Sequence, residues 1–158
     1  MTREERRTHV IQACIDHQQA VAATARQEME SAQQQSNDYG ANVDRYDAYR
    51  TKMQRSRDMY AKQLAGAAAS IGKLQELQRR KPLLEAGHGA VVITDKQRFF
   101  LSVGVGKFLV PPASDPAGTP EVFYAISANT PVYMALRGKR VGDSITVNGV
   151  TQVIVDIL

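Results

Sequence analysis

The chain has 158 residues, 43% hydrophobic and 23% charged, which fits one or two small globular domains rather than a large enzyme. Aromatics are 6% with no Trp, so a single large aromatic core is not expected; one cysteine, Cys14, excludes a disulfide framework and a cysteine-rich metal centre. No apolar run approaches the roughly 18 residues of a membrane helix and the opening MTREERRTHV lacks an apolar leader, so the expected location is the cytoplasm.

The net charge of +4 is unevenly placed. Residues 1–82 carry 14 Lys or Arg against 10 Asp or Glu, whereas residues 83–158 carry 6 of each. The second part also holds five of the six prolines. The composition changes at Lys81-Pro82, and a domain boundary is expected there, giving domains at 1–81 and 82–158.

Glu4 to Arg80 contains no proline and is rich in strong helix formers. Ile11, Ile15, Gln18, Ala22, Ala25, Met29, Ala32 and Ser36 recur at alternating steps of four and three, a heptad seam. The breaker cluster Asn37-Asp38-Tyr39-Gly40 follows, and the same steps resume through Tyr46, Arg50, Met53, Arg57, Tyr60, Leu64, Ala67 and Ile71. Folding the second seam back on the first sets Ile11 opposite Ile71, Ala22 opposite Tyr60 and Ser36 opposite Tyr46. Large residues meet small ones at Ala22/Tyr60 and Ile15/Ala67. This predicts an antiparallel coiled-coil hairpin with its tip near 38–44, about 45 Å from Ile11 to the turn at ~1.5 Å per residue. Two uses fit: a spacer or dimerisation coiled coil, or a probe that carries its tip into a narrow place.

At the tip, Asp38, Asp44 and Asp47 lie close together with Arg45 as the sole positive charge. A basic flank follows at Arg50, Lys52, Arg55, Arg57 and Lys62. Carboxylates take Mg²⁺ through one or two oxygens while phosphates fill other positions, and the basic side chains suit a phosphate backbone. Helix capping is the simpler account of the acids: Asp38 or Asn42 as a cap, with Asp44 and Asp47 at the positive end of the second helix.

Beyond Pro82 the reading turns to strands. Val91-Val92-Ile93, a turn at Asp95-Lys96 and Phe99 to Val103 predict a hairpin. Gly104-Val105-Gly106 reads as a turn and Pro111 to Pro120 as an irregular loop. Glu121 to Ile126 is a strand. Thr130-Pro131 starts a short helix as cap and first position, and Gly138 ends it. Ile145 to Val147 and Gln152 to Ile157 form a hairpin about Asn148-Gly149. A small antiparallel sheet with one helix results. His9, His17 and His88 have no metal-ligand spacing, and Cys14 is expected as a buried structural thiol.

The segment Ile126-Ser127-Ala128-Asn129-Thr130-Pro131, continuing through Ala135-Leu136-Arg137-Gly138-Lys139-Arg140-Val141-Gly142-Asp143-Ser144-Ile145-Thr146-Val147, resembles the signature of the Gre-type transcription elongation factors, approximately I-S-x-x-S-P-x-x-x-A-L-x-G-K-x-V-G-D-x-V-x-V. The match covers about 22 residues, with Thr130 in place of Ser. The resemblance implies an α+β architecture, an N-terminal antiparallel coiled-coil hairpin followed by an FKBP-like antiparallel β domain with one short helix. It also implies no independent enzymatic activity; a monomer rather than an oligomer, without membrane contact, is expected. Such a factor docks on bacterial RNA polymerase at the mouth of the secondary channel, here through Ser127, Thr130 and Pro131, and passes its hairpin toward the active site. The tip acids Asp38 and Asp44, with Asp47, would share the polymerase's Mg²⁺ so that the polymerase cleaves backtracked RNA. Arg50, Lys52, Arg55 and Arg57 would face the nascent RNA 3′ end. No cofactor would be bound tightly by the chain itself.

The tip departs from the family pattern, approximately D-L-x-E-N-A-E-Y. Asp38 and Asn42 match and Asp44 shortens the later Glu, but Ala41 stands at the family's acidic position and Arg45 at its Tyr. Two alternatives accompany the cleavage factor: a channel binder that modulates or inhibits polymerase without cleavage, and a coiled-coil adaptor with no polymerase role.

Overall fold

The structure, a computed structural model, describes residues 1–38 and 43–158, and side chains outside the stretch 36–47. The elements in order are α1 (Arg3–Asp38), α2 (Val43–Gln78), β1 (Val91–Thr94), β2 (Arg98–Leu101), β3 (Gly106–Val110), β4 (Glu121–Ile126), α3 (Pro131–Leu136), β5 (Ser144–Val147) and β6 (Val150–Ile157). The chain is α+β, as expected. It divides into two compact units, Met1–His17 with Gly72–Leu158, and Gln18–Ile71.

Among its described residues, unit two consists of helix alone. Its described seam residues are buried with the expected spacing except Arg50, which is exposed: Gln18, Ala25 and Ala32 on α1 and Ala67 on α2 are buried, and Ala22, Met29, Met53, Arg57, Tyr60 and Leu64 are half-buried. The seam is lean because small residues occupy its innermost positions, so little apolar area is removed from water per turn. Cross-helix hydrogen bonds supplement it. Arg57 Nη1 donates to Gln33 Oε1 (2.9 Å), and Tyr49 OH donates to Gln35 Oε1 (3.4 Å). Both join the end of α1 to the beginning of α2, which makes the pair antiparallel. The expected register sets Arg57 opposite Ala25, whereas its bond is to Gln33, eight residues further along α1.

Unit one is built on a six-stranded sheet of order β3-β4-β2-β1-β6-β5. Two features differ from expectation. The sheet is mixed, because β2 and β4 pair in parallel, Phe99 with Tyr124 and Leu101 with Ile126. Strand β3 is additional to the expected strands and pairs with β4 from Gly106–Ala125 to Val110–Glu121. The two differences have one cause. After β2 the chain turns through Gly104 and Gly106, the latter at φ +85°, and lays β3 one strand-width away instead of beside β2. The proline-rich loop then returns β4 into the gap, where it must run parallel to β2.

The β5–β6 hairpin forms as expected, with Asn148 and Gly149 at φ 51° and 77°, both positive as a type I′ turn requires. The expected cap and terminator of α3 also form: Thr130 Oγ1 accepts from Tyr133 N (3.3 Å), Pro131 opens the helix, and Gly138 follows it at φ +82°.

Both sheet faces are packed. One carries Val92, Phe99, Leu101, Ile154 and Ile157 against Tyr133 and Leu136 of α3. The other carries Phe100, Phe108 and Phe123, each buried side chain contributing about 1.5–3 kcal/mol. There Val10 and His9 of α1 line a small cavity of about 150 Å³ with Ile93, Val110, Phe123 and Leu158. Arg7, 1% exposed, fastens this side: Nη1 donates to Arg80 O (2.7 Å) and Nη2 to Gly89 O (2.8 Å). Arg3 adds a bond to Ile157 O (2.5 Å), Arg6 an ion pair with Asp156 (2.9 Å), and a His9 ring nitrogen meets Pro111 O (2.6 Å).

Candidate functional site

The sequence directs attention to two places, the end of the helical pair and the β4–α3 loop. Asp38 is the last residue of α1, and Asp44 and Asp47 fall in the first turns of α2. Their side chains, with residues 39–42 including Ala41 and Asn42, lie outside the described residues. The chemistry of three carboxylates fits a hard divalent cation, which takes oxygen ligands. Among the described residues no group of three or more His, Cys, Asp or Glu converges on a metal site.

The basic flank resolves into two orientations. Lys52 and Arg55, three apart and exposed, share one face of α2 and line a shallow depression with Ala48, Thr51, Ser56 and Met59. The aliphatic Met59 thus lies beside two cations, a surface that offers both charge and apolar contact. Arg57 is turned differently. It is half-buried on the seam, bonded to Gln33 across the helices and to Asp58 (3.3 Å) beside it. Arg50, one heptad before Arg57, is exposed. Lys52 and Arg55 are therefore brought together, while Arg57 is engaged within unit two.

In the β4–α3 loop, Thr130 is used by the fold itself. Its Oγ1 donates to Ser127 O (2.8 Å) as well as accepting from Tyr133 N, and its amide also donates to Ser127 O (3.1 Å). Ser127 and Thr130 are half-buried and Pro131 is exposed, so the loop presents the proline ring from a rigid, doubly bonded turn.

The remaining titratable candidates have structural settings. Cys14 is fully buried, and desolvation pushes its thiol up to about 12 from 9.0, which leaves it protonated and unreactive at neutral pH. Burial, and then the nearby Arg80 charge, lower the Arg7 value from 12.5. Its surroundings supply carbonyls rather than a carboxylate. Arg7 lies one turn before Ile11 on the same helix face, a position where the seam alone would suggest an apolar residue.

One feature of unit one had no counterpart in the sequence reading. The parallel β2–β4 pairing brings Phe99 and Tyr124 side by side, ring centroids 6.3 Å apart, in a groove of about 380 Å³ beside Val132 of α3. The alternation of β2 and β4 puts both on one face, but only the strand order makes them neighbours.

Comparison with family models, with curated proteins and with solved structures gives no match for this chain. No helix among the described residues is long and apolar enough to cross a membrane.

Proposed function

We propose that this chain is a Gre-like regulator that binds bacterial RNA polymerase at its secondary channel, with the sheet-bearing unit docked through the Ser127–Pro131 loop and the α1–α2 tip directed toward the active site. The observation that carries the reading is the pairing of two 36-residue antiparallel helices with a sheet whose β4–α3–β5 segment holds the resembling motif. The local geometry supports it: Thr130 and Pro131 form a preorganised helix start with the ring outward. In this reading Asp38, with Asp44 or Asp47, donates carboxylate oxygens to the polymerase's second Mg²⁺, and the polymerase performs the RNA cleavage. Lys52 and Arg55 contact the RNA phosphates.

A second reading rests on Ala41 and Arg45. A tip with fewer acids and an added cation binds a shared metal less well, which favours a channel binder that alters elongation without cleavage. The deciding experiment adds the full chain to halted elongation complexes. Shortened RNA 3′ ends support the cleavage factor, and altered elongation at constant RNA length supports the second reading. Failure of the chain to associate with polymerase at all removes both.

A further inference from the structure

Helix α3 has six residues and is about 9 Å long, whereas six strands at ~4.8 Å span more than twice that width. The helix therefore cannot cover its sheet face. Tyr124, Ile126, Val132 and Val147 pack at the margin of the core and remain half-buried. They form the wall of the 380 Å³ groove, with Phe99 at its floor and Val150, 43% exposed, at its lip.

The polar groups of the groove lie mainly at its β5–β6 and β1–β2 side. Gln152 is buried and bonded at both ends of its amide, its Oε1 accepting from Thr94 Oγ1 (2.7 Å) and its Nε2 donating to Gln97 Oε1 (2.7 Å). This network fixes the Gln97 amide. Among the described residues, Gln97 Nε2 and the Asn148 side chain have no hydrogen-bond partner. Side-chain amides arranged at a lip are the complement of a peptide bond, with donor and acceptor on one plane. Among the described residues the groove's only charge is Lys96, whose Nζ donates to Thr151 O (2.9 Å) and retains two further donors, and no carboxylate lines it. Its volume is at the small end of the ~300–1,000 Å³ of ligand pockets, which suits a few residues of extended chain rather than a folded surface.

We infer that this groove binds an extended peptide segment in which an apolar side chain is followed by a carboxylate. The apolar side chain rests on Phe99 and Ile126 between Val132 and Val150, the peptide groups meet Gln97 and Asn148, and the carboxylate meets Lys96. The inference is independent of the polymerase reading.

The test is titration of the ¹⁵N-labelled full chain with acetyl-Ala-Leu-Phe-Asp-amide, followed by amide chemical shifts. Saturable shifts at Gln97, Val147 and Val150 are expected, and a second peptide, acetyl-Ala-Leu-Phe-Lys-amide, should bind about two- to five-fold more weakly, the range of an exposed charge pair. Lys96→Glu should reverse that preference. Val150→Ser, at an exposed position that leaves the core intact, should weaken both peptides. No saturable shift below about 5 mM, a weaker affinity than most specific contacts, shifts centred elsewhere, or equal binding of the two peptides overturns the inference.

Discussion

Replacing Arg7 tests how unit one is held together. Its guanidinium is buried without a carboxylate and ties two carbonyls, Arg80 O at the end of the helical segment and Gly89 O just before β1. Each bond from a charged donor is worth about 1.5–3 kcal/mol, and truncation leaves both acceptors unpaired. Relief of the buried charge offsets part of that loss. For Arg7→Ala the balance is a destabilisation of about 3 kcal/mol, which in a chain of this size lowers Tm by roughly 6–12 °C. Arg7→Met keeps most of the aliphatic packing and isolates the two bonds, with an expected cost of about 2 kcal/mol. Arg7→Lys can reach one carbonyl and should fall between Met and the parent. Urea unfolding followed by far-ultraviolet circular dichroism measures these differences, the chain having no Trp, and amide exchange at Gly89 and Val91 localises them to unit one. If Arg7→Met is as stable as the parent within ~0.5 kcal/mol, the carbonyl bonds do not hold this side together and the reasoning is refuted.

Cys14 makes a pH prediction. Its thiol titrates higher in the folded chain than when unfolded, so the stability it confers is complete below pH 9 and is lost as pH rises toward about 12. Cys14→Ala should flatten that alkaline decline in urea midpoints, and the native thiol should react with a disulfide reagent only after denaturation. Thr130→Ala removes the α3 cap and should cost about 1 kcal/mol, read as a lower thermal midpoint; Thr130→Ser should restore most of it. For the proposed cleavage activity, Asp38→Ala should abolish RNA shortening in halted complexes while leaving polymerase binding intact. Unchanged shortening would remove Asp38 from its assigned role.

The two helices were legible because their information is local: unbroken runs of helix formers and heptad seams agree. The same holds for α3, where Thr130, Pro131 and Gly138 each specify their own backbone position, and for Asn148-Gly149. Strand β3 was not legible because Lys107 to Val110 is short and lies between a glycine turn and a proline loop that obscure its alternation. The parallel β2–β4 pairing was hidden for a different reason: partner choice is made between segments distant in sequence, and Phe99 carries no mark naming Tyr124 as its neighbour. Arg7 was missed because its two acceptors are backbone atoms, which leave no trace in the sequence. Of the candidate site, the β4–α3 loop could be read from its motif, whereas the split of the basic flank into Lys52 with Arg55 and a separately engaged Arg57 depends on which helix face meets α1.

Unit one is assembled from two separated stretches of chain, with the whole of unit two inserted between His17 and Gly72. Removing seven residues from each helix within that insertion would preserve the heptad phase and leave every strand, cap and arginine bond of unit one in place. The length of the insert is thus an independent variable of this design, open to lengthening or trimming in whole repeats while the sheet and its groove stay as they are.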